Sequence, residues 1–254
     1  MDDQTEVEEI IQRSGNSFHS KVVTALKTKG WSTLISPYYS DISSDKPREI
    51  DLLAEKVFPG NHNYGNSRTD VVVKLFIECK YIPQTTVFWF HSQDRIRARQ
   101  LVTTTTPMRD NNGLTDDHHY LRSNQDVAKL FASESKRDAE NEIMYKALNQ
   151  SLNSLLYFRR GESGKSPMNG RVTIHYPVIL CHNFAKFYRV NMESEAPATP
   201  VQDNFMLEVN YACLDENRKS KSEYFLIDVV EFAKLDELLK HVEEDVSRFR
   251  HLVG

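Results

Sequence analysis

Residues 70–81 alternate without a break. Val71, Val73, Leu75, Ile77, Cys79 and Tyr81 fall on one side of an extended chain, and Asp70, Val72, Lys74, Phe76, Glu78 and Lys80 on the other. The period of two predicts a strand whose first side faces a core. Residues 48–57 alternate too, with Ile50, Leu52 and Ala54 opposite Glu49, Asp51, Leu53 and Glu55. The run Pro59-Gly60-Asn61-His62-Asn63-Tyr64-Gly65-Asn66 between them is dense in turn formers, so an antiparallel hairpin is expected. Residues 31–39 read as the strand before it and 85–90 as the strand after it. The continuous apolar run 177–181 suits a strand buried on both faces. Residues 205–213 and 224–230 read as two more strands.

Helical spacing appears elsewhere. Residues 5–13 place Val7, Ile10 and Ile11 inward. Residues 17–29 carry a Phe18, Val22, Leu26 stripe between a Ser17 cap and Gly30. Residues 124–160 read as two helical pieces, the first marked by Val127, Leu130 and Phe131. The second is marked by Ile143, Ala147, Leu148, Leu152, Leu155 and Leu156. A last helix, 235–249, has Leu238, Leu239, Val242, Val246 and Phe249 on its inner stripe. The polar segments 41–47, 161–170 and 192–202 read as turns or loops. The polar stretch 91–123 is anchored only by Ile96, Leu101 and Val102 and is helical in part. No internal repeat and no linker interrupts the chain, so one domain is expected.

The chain of 254 residues is 39% hydrophobic and 27% charged, a globular balance with enough length for a full core. No apolar run is long enough to span a membrane. The start, Met-Asp-Asp-Gln-Thr-Glu-Val-Glu-Glu, is acidic, opposite in character to a secretory signal. The three cysteines, Cys79, Cys181 and Cys213, are odd in number and lie in strand-like apolar runs. They are expected to be buried free thiols, and a cytoplasmic setting follows. No C-x-x-C pair is present to build a structural zinc site. A net charge of −4 gives no support for broad electrostatic attraction to nucleic acid.

Candidate chemistry concentrates on the hairpin. Glu78 and Lys80 are two residues apart and share a face, and Asp51 is their neighbour across the pair. Two carboxylates converging with a lysine suit Mg²⁺ or Mn²⁺. Such a lysine can hold a phosphate oxygen or a nucleophilic water.

At this point the chain resembles a known family. Gly15-Asn16-Ser17-Phe18, Val22, Leu26, Gly30-Trp31, Arg48-Glu49-Ile50-Asp51 and Glu78-Cys79-Lys80 together resemble the PD-(D/E)XK nuclease superfamily. The resemblance implies an α/β, restriction-endonuclease-like core, a central mixed β-sheet flanked by helices. That core would span about 14–182, with a C-terminal strand-strand-helix extension over about 183–254. It implies that Asp51 and Glu78 hold Mg²⁺ or Mn²⁺ and that Lys80 assists hydrolysis of a nucleic-acid backbone, DNA above all. Where many members carry a Glu after the aromatic residue of the first helix, this chain has His19. Glu8 and Glu9 lie upstream as substitutes. Arg95, Arg97 and Arg99 would track the phosphates. Oligomeric state stays open, a homodimer included. A second reading also stays open: an inactive member of the same fold that binds nucleic acid or protein, favoured by His19 and the negative net charge.

Other residues carry less. His118-His119, following Asp116-Asp117 in the polar stretch, read as a solvated surface pair rather than metal ligands. His175 and His182 read as structural histidines and Gln150 as a surface residue of a helix. Gly161 to Ser166 contains Gly-Lys-Ser but lacks the first glycine of a phosphate loop and follows a helix, so that function is rejected. No G-x-S-x-G elbow is present for serine hydrolysis.

Overall fold

The computed structural model describes residues 3–41, 44–60, 69–107, 113–122, 126–133, 143–163, 171–215 and 217–249. The chain opens with α1 (Asp3–Arg13) and α2 (Asn16–Thr28). Four strands follow, β1 (Ser32–Ile35), β2 (Tyr38–Ser40), β3 (Pro47–Glu49) and β4 (Leu52–Phe58). Next come β5 (Asp70–Lys80), β6 (Thr86–Ser92), α3 (Arg95–Thr105), β7 (Asp126–Ser133) and α4 (Ile143–Ser163). The last part holds β8 (Arg171–Cys181), β9 (Phe187–Asn191), β10 (Thr199–Pro200), β11 (Phe205–Leu214), β12 (Ser220–Glu231) and α5 (Leu235–Phe249).

Ten strands form one mixed sheet in the order β1-β4-β5-β8-β12-β11-β7-β6-β9-β10, and β2 pairs with β3 in a small second sheet. The hairpin β4–β5 is antiparallel with Leu52 opposite Ile77. β5, β8 and β12 then run parallel. The C-terminal strands therefore stand in the middle of the sheet, where β12 lies against β8 and β11 leads on to β7. Helices cover both faces. Phe18, Val22 and Leu26 of α2, Ala98 and Val102 of α3 and Leu238, Leu239, Val242 and Val246 of α5 pack on one face with Val71, Val73, Leu75 and Ile77. Met144, Ala147, Leu148, Leu152, Leu155 and Leu156 of α4 pack on the other with Phe76 and Ile179. This explains why β5 is buried on both sides: the period of two still sorts its residues, but each side meets a helical layer. No helix among the described residues is long and apolar enough to cross a membrane.

Several sequence expectations change. The strand expected at 31–39 breaks into β1 and β2 at Ser36, whose φ of 54° is left-handed, followed by Pro37. The strand expected at 48–57 breaks into β3 and β4 at Ile50-Asp51. Residues 126–133 are a strand, not a helix. Val127, Leu130 and Phe131 mimic helical spacing over so short a run, whereas pairing with β6 shifts register beside Phe90 and so disturbs the alternation. The helix α1 forms, but Val7, Ile10 and Ile11 are exposed. Strand β9 falls in a segment with no expected element. Residues 61–66 of the expected turn and 164–170 of the expected loop lie outside the described residues.

Candidate active site

The candidate residues meet at the C-terminal end of β5. Asp51 sits at the break just before β4, one step beyond the Leu52–Ile77 pair, which sets it beside Glu78. Two hydrogen bonds lock that relation. The Asp51 N–H donates to Glu78 Oε1 at 3.3 Å, and the Cys79 N–H donates to Asp51 Oδ2 at 2.8 Å. The break between β3 and β4 frees the Asp51 N–H from ladder pairing and turns it to a side chain. The Ser36 N–H donates to the Asp51 carbonyl at 3.0 Å, tying the left-handed bend after β1 to the same point.

Lys80 joins both acids. Its Nζ donates to Glu78 Oε2 at 2.6 Å and to Asp51 Oδ2 at 3.3 Å. His19 of α2 closes the far side, its Nε2 3.6 Å from Asp51 Oδ2. Burial is graded: the Glu78 side chain is 0% exposed, those of Asp51 and Lys80 17%, and that of His19 24%. The cluster is thus least buried at His19 and sealed at Glu78.

This gradient controls the charges. Burial raises the Glu78 carboxyl from 4.5 to about 8; the Lys80 ammonium opposes the rise and the Asp51 carboxylate adds to it. Burial works against a charged Lys80, but Glu78 and then Asp51 outweigh it and hold the ammonium above its usual range. Burial and the neighbouring Asp51 push the Cys79 thiol well above its usual range, so it stays a thiol. His19, Asp51 and Cys79 each offer a ligand atom within 4.8 Å of the others. A protonated sulfur is a poor ligand for a hard cation. The donors that fit Mg²⁺ or Mn²⁺ are the Asp51 and Glu78 oxygens, with the His19 nitrogen beside them. The Lys80 ammonium already lies between the two acidic side chains. Glu9 lies exposed on α1 and is not part of that ligand group among the described residues.

Two further residues border the cluster. Gln150 of α4 donates to the Glu49 carbonyl at 3.1 Å and is half-buried, not a free surface side chain. It clamps the strand end from which Asp51 emerges. The His182 N–H donates to the Lys80 carbonyl at 2.9 Å, and its ring meets Phe18 at 5.3 Å and Tyr81 at 5.9 Å. His182 is exposed, and its place beside Lys80 follows from the parallel β5–β8 register. Nothing local in the sequence links positions 80 and 182, so only that pairing reveals it.

The arginines sit elsewhere. Arg95, Arg97 and Arg99 lie on α3, which packs on β12, two strands from β5. Asp94 caps this helix through the Arg97 N–H. Arg99 and Arg95 both reach Asp116 Oδ1, at 2.5 and 3.4 Å. The Arg97 guanidinium lies over the Tyr224 ring at 4.8 Å. Cys79, Cys181 and Cys213 are free thiols; the first two are buried and Cys213 is half-buried.

His118 and His119 are not a solvated pair. Their side chains are 0% and 6% exposed. The His119 N–H donates to Asp245 Oδ1 at 3.1 Å, and its Nδ1 is in close contact with Asp245 Oδ2. The polar sequence around the pair hides this because the burying partners come from β12 and α5, over a hundred positions away. Burial disfavours a charged His119, but Asp245 and then Asp228 outweigh it and raise the group to about 10. Burial drives His118 the other way, to about 3.

A cavity of about 710 Å³ lies away from the Asp51 cluster. It opens where β12 diverges from β8, because those strands pair only over Asp228–Glu231 and Val178–Cys181. Comparison with protein-family models, with characterised proteins and with solved structures finds no match to this chain.

Proposed function

We propose that the chain is a divalent-metal-dependent phosphodiesterase acting on nucleic acid, with DNA as the substrate that its resemblance to the PD-(D/E)XK nucleases implies. The observation that carries the reading is the single ammonium of Lys80 bridging Asp51 Oδ2 and Glu78 Oε2 beside His19. In the same reading β4, β5 and β8 with α2 and α4 are the restriction-endonuclease-like core.

Asp51, Glu78 and His19 would hold the ion. A bound Mg²⁺ or Mn²⁺ supplies Lewis acidity and a more acidic water. Lys80, freed from one carboxylate, donates to a non-bridging phosphate oxygen or to the attacking water and offsets charge on the pentacoordinate phosphorus. Gln150 and the Asp51–Cys79 hydrogen bond keep the carboxylate from turning away. The acidic net charge leaves α3 as the local basic element for backbone contacts.

The complete burial of Glu78 favours the second reading, a fold of this type that binds nucleic acid or protein without cutting it. Plasmid nicking and single-strand cleavage with Mg²⁺ or Mn²⁺, beside calorimetric titration of the metal, separate the two. The nuclease reading expects wild type to bind metal and cleave, Lys80→Ala to bind metal without cleaving, and Asp51→Ala to do neither. Wild type that binds no metal and cuts neither DNA nor RNA overturns it.

A further inference from the structure

We propose that the chain carries a second binding site, for a small aromatic organic anion, in the cavity between β8 and β12 and independent of the Asp51 cluster. The cavity measures about 710 Å³, within the range of about 300–1,000 Å³ typical of sites that enclose a small organic molecule.

Backbone pairing makes the space. β8 pairs with β5 along its whole length, and β12 pairs with β11 from Ser220 to Val229. Between β8 and β12 the ladder covers only Val178–Cys181 and Asp228–Glu231. Before that ladder, residues 171–177 and 220–227 therefore each turn one backbone edge towards the cavity, paired by no strand among the described residues. The N–H and C=O groups of such edges need partners. They suit a ligand with polar groups on its rim better than a bare hydrocarbon. Leu101 of α3 closes one face of the gap and Leu155 of α4 the other.

The lining is graded from apolar to charged. At the inner end Ile174, Tyr176, Phe225 and Leu226 are buried, and the ring faces match a flat aromatic body. His118 lies there too, kept neutral by burial, with its Nδ1 accepting the Tyr120 N–H at 3.1 Å. Its Nε2 and the Tyr176 hydroxyl are 3.3 Å apart and satisfy one another. The inner lining thus offers a ligand no charge. At the outer end Arg159, Arg171 and Lys221 surround a single carboxylate, Glu223. Arg159 Nη2 lies 2.5 Å from Glu223 Oε1, and Lys221 Nζ lies 2.9 Å from Oε2. One carboxylate is therefore shared by two cations, and Arg171 forms no ion pair among the described residues. Asp70, opposite Arg171 on β5, does not line the cavity and accepts the Gly60 N–H at 3.0 Å. The outer end keeps a positive excess, and a guanidinium can grip a carboxylate or phosphate through two parallel hydrogen bonds.

The competing account is a solvent-filled gap with no preference for a ligand. Titration with anilinonaphthalene sulfonate, an aromatic anion that fluoresces in apolar surroundings, decides between them, with thermal unfolding as the control for a loosened fold. The site expects saturable binding of one equivalent to wild type. Arg171→Gln combined with Lys221→Gln leaves Arg159 matched by Glu223, and Ser222→Trp fills the mouth with a ring. Both variants alter exposed positions, so the fold is expected to stand. Each is expected to weaken binding by about tenfold or more, the scale of one charge-assisted hydrogen bond. Asp51→Asn, in the other cluster, is expected to bind as wild type does. Displacement by 1-naphthoate or by adenosine monophosphate tells a carboxylate ligand from a phosphate ligand, and uncharged 1-naphthalenemethanol is expected to displace the probe about tenfold less well than 1-naphthoate. Wild type that binds no probe, both variants binding it as wild type does, or equal displacement by the charged and uncharged naphthalenes overturns the proposal.

Discussion

Replacing Glu78 by Gln tests the electrostatics of the Asp51 cluster directly. The side chain is 0% exposed, and its carboxyl is raised from 4.5 to about 8. The folded protein therefore keeps this proton to a higher pH than the unfolded chain does. Below 4.5 both states are protonated and the group costs nothing. As pH rises from there the unfolded chain ionises first, and folding loses stability until about pH 8, above which the loss is constant. At about 1.36 kcal/mol per pH unit, the loss is on the order of 5 kcal/mol. Gln is close in shape and cannot ionise, so the variant escapes that loss. Its loss of charge pairing with Lys80 is offset in part by Asp51, which stays 3.3 Å from the ammonium. The expected result is a stability difference, variant minus wild type, that grows by several kcal/mol between about pH 5 and pH 8.5. Urea unfolding in EDTA, followed by the fluorescence of buried Trp31, measures it. Adding Mn²⁺ near pH 8 is expected to restore wild type and leave the variant unmoved. Parallel pH curves for the two proteins would refute the claim that burial controls Glu78.

Three other outcomes follow from named contacts. Arg97→Ala, which has no acidic partner among the described residues, is expected to lower the salt slope of DNA binding by about one, whereas Arg99→Ala, paired with Asp116, is expected to change it less; equal slopes for all variants would remove α3 from the interface. Leu152→Ala empties a fully buried position between α4 and the sheet and is expected to cost about 2–5 kcal/mol in urea unfolding, so a loss below about 1 kcal/mol would contradict that packing. Native protein is expected to react with a thiol reagent at Cys213 before Cys79 or Cys181, whose burial keeps them protonated and covered; first modification at Cys79, read by mass spectrometry, would contradict this.

Local pattern carried much of the architecture. The alternation of 70–80 is a strand because period two survives burial on either face, and the 235–249 stripe is a helix that buries Leu238, Leu239, Val242 and Val246 as its spacing requires. The convergence of Asp51, Glu78 and Lys80 was legible for the same reason: two of the three are two residues apart on one strand, and the third immediately precedes the strand that pairs with it. Short or irregular segments misled. Residues 126–133 hold too few turns for period to separate helix from strand, and α1 showed an apolar stripe that the described residues leave exposed.

What tertiary structure alone decided lies where the contacts are long-range. The order of the sheet, with β11 and β12 in its middle, depends on which edges β8 and β7 present, and no local pattern encodes an edge. Whether Asp51 belonged to a strand was decided by the break that the left-handed Ser36 and its hydrogen bond to the Asp51 carbonyl impose. His118-His119 sit in a polar sequence and yet are buried, because Asp245 and Asp228 arrive from distant elements to satisfy them. A polar residue's neighbours in sequence report its chance of meeting water, whereas its burial is set by whether a partner reaches it in space, and that partner is chosen only when the whole sheet and its helices close.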